Sequence, residues 1–286
     1  PALEPRIAAT FRMGKESSIK ASYNRNNQFV HLIQSSTTSL PTDYWIPSTE
    51  NTPPQICSQY SIGYFRNFKE NMYETSVEVY YKDLESQIDY ENGTNVFLNP
   101  NLESWLVFGV GRSYGAEFLV KKDAGNLTGW IGYTWSKTEK KFNELNNSNW
   151  FPTRYDRTHD ISVVAMYNVN KKLQVSATWV YSTGDAVTMP SGVAYIEGQL
   201  VNVYTGRNEY RMPDYHRMDI GATYILKKTN KYESTWNFSI YNAYSRKNAY
   251  MIYFDPIDES KPDGEKQAVK VTLFPILPSI TWNFKF

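Results

Sequence analysis

The chain has 286 residues, with 30 Lys and Arg against 29 Asp and Glu, for a net charge of +1. That balance excludes a polybasic nucleic-acid arm and an acidic tail. A mean hydropathy of -0.55 excludes a helical membrane protein, and no run reaches the ~18 apolar residues that a membrane-crossing helix needs. Strict alternation of apolar and polar residues is the dominant pattern, and it reads as strands. In chain order it predicts eleven, at about 4–13, 18–26, 57–67, 72–84, 110–121, 128–139, 159–169, 172–182, 216–226, 235–245 and 269–286. In the fourth, Val77, Val79 and Tyr81 alternate with Glu78, Tyr80 and Lys82. In the eighth, Leu173, Val175, Ala177, Trp179 and Tyr181 alternate with Gln174, Ser176 and Thr178. The last ends on Ile280, Trp282, Phe284 and Phe286 against Thr281, Asn283 and Lys285. Each stripe shares one strand face.

The connections alternate in length. Those near 14–17, 68–71, 122–127, 169–171 and 227–234 are short and polar. Those near 27–56, 85–109, 140–158, 183–215 and 246–268 are long, with Asn, Pro, Ser and aromatics. A soluble domain has no reason to keep every second connection long, whereas a transmembrane barrel does. The polar strand face carries Glu78, Glu117, Asp219 and Lys285, so it should meet water, and the apolar face should meet lipid. Aromatics are 16% of the chain, and Tyr133, Trp135, Tyr167 and Tyr181 stand near strand ends, where an aromatic girdle lies. The expected fold is therefore all-β, an antiparallel transmembrane β-barrel. Eleven is an odd number, and single-chain bacterial barrels close with an even one. Either the count is off by one strand or this is part of a larger barrel, and the absence of a start Met and signal peptide favours the second. The opening Pro1-Ala2-Leu3 shows neither a basic n-region nor an apolar h-region, as expected if a signal peptide was removed or never included.

Several runs resemble TonB-dependent outer-membrane receptors. They are Leu3-Glu4-Pro5-Arg6, Ala21 to Arg25, Gln28 to Leu32, Leu40 to Pro47, Pro53-Pro54-Gln55, Gly111 to Phe118, Tyr155 to Asp160 and Arg211 to Asp219. The ending Leu273 to Phe286 resembles the last strand of such a protein, with Phe286 as the assembly signal. The resemblance covers essentially the whole chain and is silent on the ligand. It implies a 22-stranded barrel filled by an N-terminal plug and energised through TonB, of which residues 1–286 look like the C-terminal half. The implied partners are the outer-membrane bilayer, the plug and remaining strands, TonB through the plug, and the barrel assembly machinery. No nucleic acid, cofactor or catalytic role is implied.

No residue constellation points to bond chemistry. Gly109 to Gly115 is spaced G-x-G-x-x-x-G and precedes a strand, so it reads as a close backbone approach rather than a dinucleotide fingerprint. Cys57 has no companion for a disulfide or a cysteine-rich zinc site. His31, His159 and His216 lie in separate segments, and a rim position held by hydrogen bonds suits His159 better than a metal site. Asp156-Arg157 and Arg217-Asp219 read as rim or lumen ion pairs. Gln87 to Asp89 and the acidic run Asp255 to Asp263 lack the glycine and spacing of a calcium loop. Trp45, Trp105, Trp150 and Tyr155 lie in long connections and are candidate ligand-contact residues. Phe151 lies beside them, and such loops also bury aromatics within themselves. The expected function is uptake of a bulky nutrient through an outer-membrane receptor: an iron chelate, a cofactor, a glycan or a peptide. The alternative is a surface or secreted all-β binding module with aromatic loops, whose apolar faces would pack into a sandwich core.

Overall fold

The computed structural model describes residues 2–33, 44–91, 94, 102–196, 199–257 and 266–286. Eleven strands follow one another across a single antiparallel sheet. They are β1 (Arg6–Met13), β2 (Ser17–Gln28), β3 (Gln55–Phe68), β4 (Tyr73–Tyr90), β5 (Leu106–Lys122), β6 (Leu127–Lys141), β7 (His159–Asn168), β8 (Leu173–Ser182), β9 (Tyr215–Lys228), β10 (Glu233–Tyr241) and β11 (Leu277–Lys285). Neighbours in sequence are neighbours in the sheet, and the two-residue strand Phe151–Pro152 adds to β6.

Register assigns the two faces. Trp179 is opposite Met218, Phe238 is opposite both Ala222 and Ile280, and Trp236 faces Trp282. With Ile220 they make one apolar face that no element covers: Ile280 is 66% exposed and Trp282 57%. Leaving such side chains in water forfeits roughly 1.5–3 kcal/mol each relative to burial, so this face belongs against lipid. The other face is polar. Glu78 stands opposite Glu117, Ser22 opposite Ser61, and Arg217 pairs with Asp219 at 3.0 Å.

The only buried apolar clusters among the described residues lie at the long-connection end. Ile33, Ile88, Tyr90 and Leu106 form one, and Val107, Phe142, Leu145 and Phe151 form the other. A sandwich would bury the wall stripes themselves, so the soluble-module alternative fails.

The short turns adjoin one another along one sheet end. Asn67 N–H donates to the Glu16 carbonyl at 2.8 Å, Asp123 N–H to Met72 at 2.9 Å, and Asn168 N–H to Asn126 at 2.8 Å. At the other end the long connections form hairpins of their own: Val30–Ile33 with Tyr44–Pro47, Gly192–Ile196 with Gln199–Val203, and Ala249–Pro256 with Lys266–Thr272.

The last hairpin corrects one expected strand. Residues 269–272 do not continue into β11 but pair with 249–253. Phe274 has a φ of 51° and Pro275 follows, which breaks the ladder before β11. Likewise β10 stops at Tyr241, because Asn242 takes a φ of 53°. Two strands run longer than expected: β4 continues to Tyr90 past a register shift at Leu84/Gln87, and β5 begins at Leu106. Residues 258–263 of the acidic run, and 40–43 of the run from Leu40 to Pro47, lie outside the described residues.

Candidate ligand-binding site

The overlong strands build the site. Past the register shift, Gln87 and Asp89 stay on the polar face, opposite Gly109 and Val107. Lys140 and Thr138 share that face through Gly111 and Ser113. Gln28 and Gln55 form the facing end pair of β2 and β3. Two connections complete the enclosure: 151–155 follows β6, and Arg207 with Asn208 arrives from the β8–β9 connection. Together they line a cavity of about 300 Å³ on the polar face at the long-connection end.

Its walls are fixed by buried polar contacts. Arg207 is buried, ion-paired with Asp89 and seated 4.7 Å over the Tyr90 ring. Its backbone N–H donates to Asn146 Oδ1 at 3.3 Å. Asn208 Nδ2 donates to the Pro152 carbonyl at 3.0 Å, and Lys140 Nζ to the Ile88 carbonyl at 3.5 Å. Asp156 is buried beneath, paired with Arg211, and accepts from Thr138 N–H at 2.5 Å. Lys140, Arg154 and Arg207 stand against the single carboxylate of Asp89, with three Gln amides around them. This lining can hydrogen-bond a polar, anion-rich molecule. Among the described residues no group of three His, Cys, Asp or Glu could hold a metal ion.

The candidate contact residues part company here. Tyr155 lines the cavity and is 62% exposed. Trp45 is exposed on the hairpin strand opposite Leu32, and Leu32 is a lining residue. Trp105 ends the short 3-10 turn Leu102–Trp105, and its carbonyl accepts from Glu91 N–H at 3.0 Å. Trp150 covers Arg112 at 4.2 Å, and Arg112 belongs to the lipid-side face by register. Phe151 is buried in the loop core, and its segment borders the cavity. The adjacent pair Asp156-Arg157 does not pair internally: Asp156 takes Arg211, and Arg157 takes Asp185 at 3.1 Å. His159 bonds Tyr133 Oη at 2.9 Å on the rim. Reasoning from sequence missed Gln28, Gln55, Lys140, Arg154, Arg207 and Asn208. For Lys140 the available signal was parity, since it continues the polar stripe of Thr134, Ser136 and Thr138.

A continuous antiparallel wall with one lipid-facing side, one polar side, short turns at one end and a loop-built cavity at the other is the wall of a transmembrane β-barrel. A family model described as TonB dependent receptor-like, beta-barrel, matches residues 2–243, and the chain belongs to that family. It is accordingly an outer-membrane protein. Solved outer-membrane receptors share the fold, among them the following three. The ferric-catecholate import receptor Fiu from K12 E. coli has a TM-score of 0.59 at 14% identity, covering 98% of this chain and 34% of that one. P. aeruginosa FpvA bound to heterologous pyoverdines has a TM-score of 0.62 at 14% identity, with 99% and 33% covered. BauA, the ferric preacinetobactin receptor from Acinetobacter baumannii, has a TM-score of 0.58 at 13% identity, with 99% and 36% covered. The chain thus spans about a third of the length of these structures. No curated protein sequence is significantly similar to it.

Proposed function

We propose that this chain supplies the barrel wall and outer loops of an energised receptor for a bulky nutrient, and that its role is recognition and passage rather than bond chemistry. The cavity on the polar face at the loop end is the observation that carries this reading. A ligand arriving from outside meets Tyr155, Arg154 and the Gln28–Gln55 pair first, with Lys140 and Arg207 beneath. The remaining strands and a plug complete the enclosure, TonB acts through that plug, and the barrel assembly machinery reads Phe286. Among iron chelate, cofactor, glycan and peptide, the cationic lining favours an anionic iron chelate. The ferric chelates taken by Fiu, FpvA and BauA point the same way.

The test is uptake by cells carrying the complete receptor, offered labelled ferric chelates, cobalamin, oligosaccharides and peptides. One class should enter in a TonB-dependent manner. Lys140→Gln with Arg154→Gln should weaken its binding about tenfold or more, by removing charge-assisted hydrogen bonds. Unchanged binding by that double variant would exclude this cavity as the receiving site.

A further inference from the structure

The candidate ligand cavity has a neighbour. A second cavity, of about 280 Å³, lies over β8 and β9. Its floor is Ser182 and Tyr215, direct cross-strand partners that share the polar face with Thr178 and Asp219. Three long connections wall it, the first through Arg154 and Arg157, the second through Asp185 and Met212, the third through Tyr250. Arg154 also lines the first cavity, and its guanidinium has no hydrogen-bond or ion-pair partner among the described residues.

Hydrogen bonds fix the frame. Thr183 N–H donates to the His159 carbonyl at 2.9 Å, and Thr183 Oγ1 accepts from His159 N–H at 3.0 Å. Met212 N–H donates to the Asp185 carbonyl at 2.9 Å, and Gly184 N–H to Asp214 Oδ1 at 3.2 Å. The two ends of the β8–β9 connection are thus clasped to each other, and its start is clasped to β7.

The two linings differ in charge. The first sets Lys140, Arg154 and Arg207 against the one carboxylate of Asp89. The second cancels its own pair, since Arg157 Nε donates to Asp185 Oδ1 at 3.1 Å, which leaves only the shared Arg154 at the junction. Tyr215 Oη is taken by Arg217 Nη1 at 2.9 Å, so Tyr215 offers chiefly its ring. Tyr250, Val187 and Met212 add apolar surface. Ser182 is 4% exposed, yet it lines the cavity and its hydroxyl has no hydrogen-bond partner among the described residues. A buried hydroxyl without a partner is destabilising, and an amide can supply it with both a donor and an acceptor. A second anion here would lose its water and find no further counter-charge. From Lys140 on β6 to Tyr215 on β9 is three strand steps, roughly 14 Å at about 4.8 Å each. We propose that the two cavities receive one two-part ligand: an anionic chelate head in the first and an uncharged peptide arm in the second, with Arg154 between them. This rests on the first cavity being the site that receives the chelate. Ser182 bonds an amide of the arm, and the rings of Tyr215 and Tyr250 flank it.

The experiment is calorimetric titration of the complete receptor in detergent with two probes. One is a ferric tris-catecholate, and the other is the same chelate carrying an uncharged tripeptide amide. The arm should tighten binding about tenfold, the scale of one or two hydrogen bonds with an aromatic contact. Ser182→Ala with Tyr250→Ala should abolish that gain and leave the affinity for the bare chelate unchanged. Tyr250 is exposed and Ser182→Ala removes one hydroxyl, so the heat-modifiable gel shift of the folded barrel should persist. Lys140→Gln should weaken both probes alike. Equal affinity for the two probes would overturn the two-part assignment and leave the first cavity as the receiving site. So would an arm gain that survives the Ser182→Ala, Tyr250→Ala variant, or a loss in that variant shared equally by both probes. Binding of neither probe, or undiminished binding of both by Lys140→Gln, would overturn the receiving-site reading and this inference with it.

Discussion

His31 shows what burial does to one side chain in the loops. It is fully buried, its Nε2 lies 2.8 Å from Ser48 Oγ, and its Nδ1 has no partner among the described residues. Burial holds its pKa below the ordinary imidazole value, because a charged ring there would lose its water. The folded hairpin therefore favours the neutral ring. As pH falls through about 6.5 the opened segment takes up a proton and the folded one resists, so stability is lost on acidification. Hydrogen exchange over residues 29–33 and 44–49 should accelerate between pH 7.5 and pH 5.5, and His31→Gln should flatten that dependence. Leu32 of the same hairpin lines the candidate ligand cavity, so ligand affinity should fall in parallel. Exchange rates with no imidazole-dependent step would contradict the assignment.

Strands of the wall pack by backbone approach as well as by side chain. Gly115 lies on the polar face of β5, between Tyr80 and the β6 backbone. A Cβ added there would stand 2.5 Å from the Trp135 carbonyl oxygen and 2.9 Å from Tyr80 Oη. This is the chemistry behind the glycine spacing from Gly109 to Gly115: three neighbouring strands close on a position that admits no side chain. Gly115→Val should cost about 1–3 kcal/mol, as overpacking does elsewhere, and should lower the temperature of the heat-modifiable shift. Wild-type behaviour would show that β5 has slack at this point. The same strands mark the limit of what was legible. Within the lipid band every side chain must choose oil or water, so alternation reveals Val77, Val79 and Tyr81 at once. Above it that choice lapses. Ser86 takes a φ of 53°, the register shifts, and Ile88 and Tyr90 enter a small core with Ile33 from a distant hairpin. No local pattern announces that pairing. The candidate ligand site was less legible still, since Asp89 and Arg207 lie 118 residues apart and meet only through tertiary structure.

The whole sheet leaves two ladders open. β1 and β11 are its terminal strands, each paired on one side only, and both are exposed along their length. Because neighbours alternate in direction, the first and eleventh strands run the same way, so they cannot close on each other with the antiparallel ladder used everywhere else. In lipid the unpaired N–H and C=O groups of such edges have no water to satisfy them. The edge of β1 should therefore meet a preceding antiparallel strand in the complete receptor, and β11 should meet the barrel's first strand. Residues 1–286 expressed alone and refolded in detergent should give broad, multimeric species, since exposed edges pair with other copies. They should show no heat-modifiable monomer on a gel. Supplying the missing strands from a second polypeptide should convert the mixture into one heat-modifiable species, because both open ladders then find partners. A discrete monomer of this chain alone, with every backbone amide of β1 and β11 protected from hydrogen exchange, would mean that the eleven strands close by themselves and that the half-barrel reading is wrong.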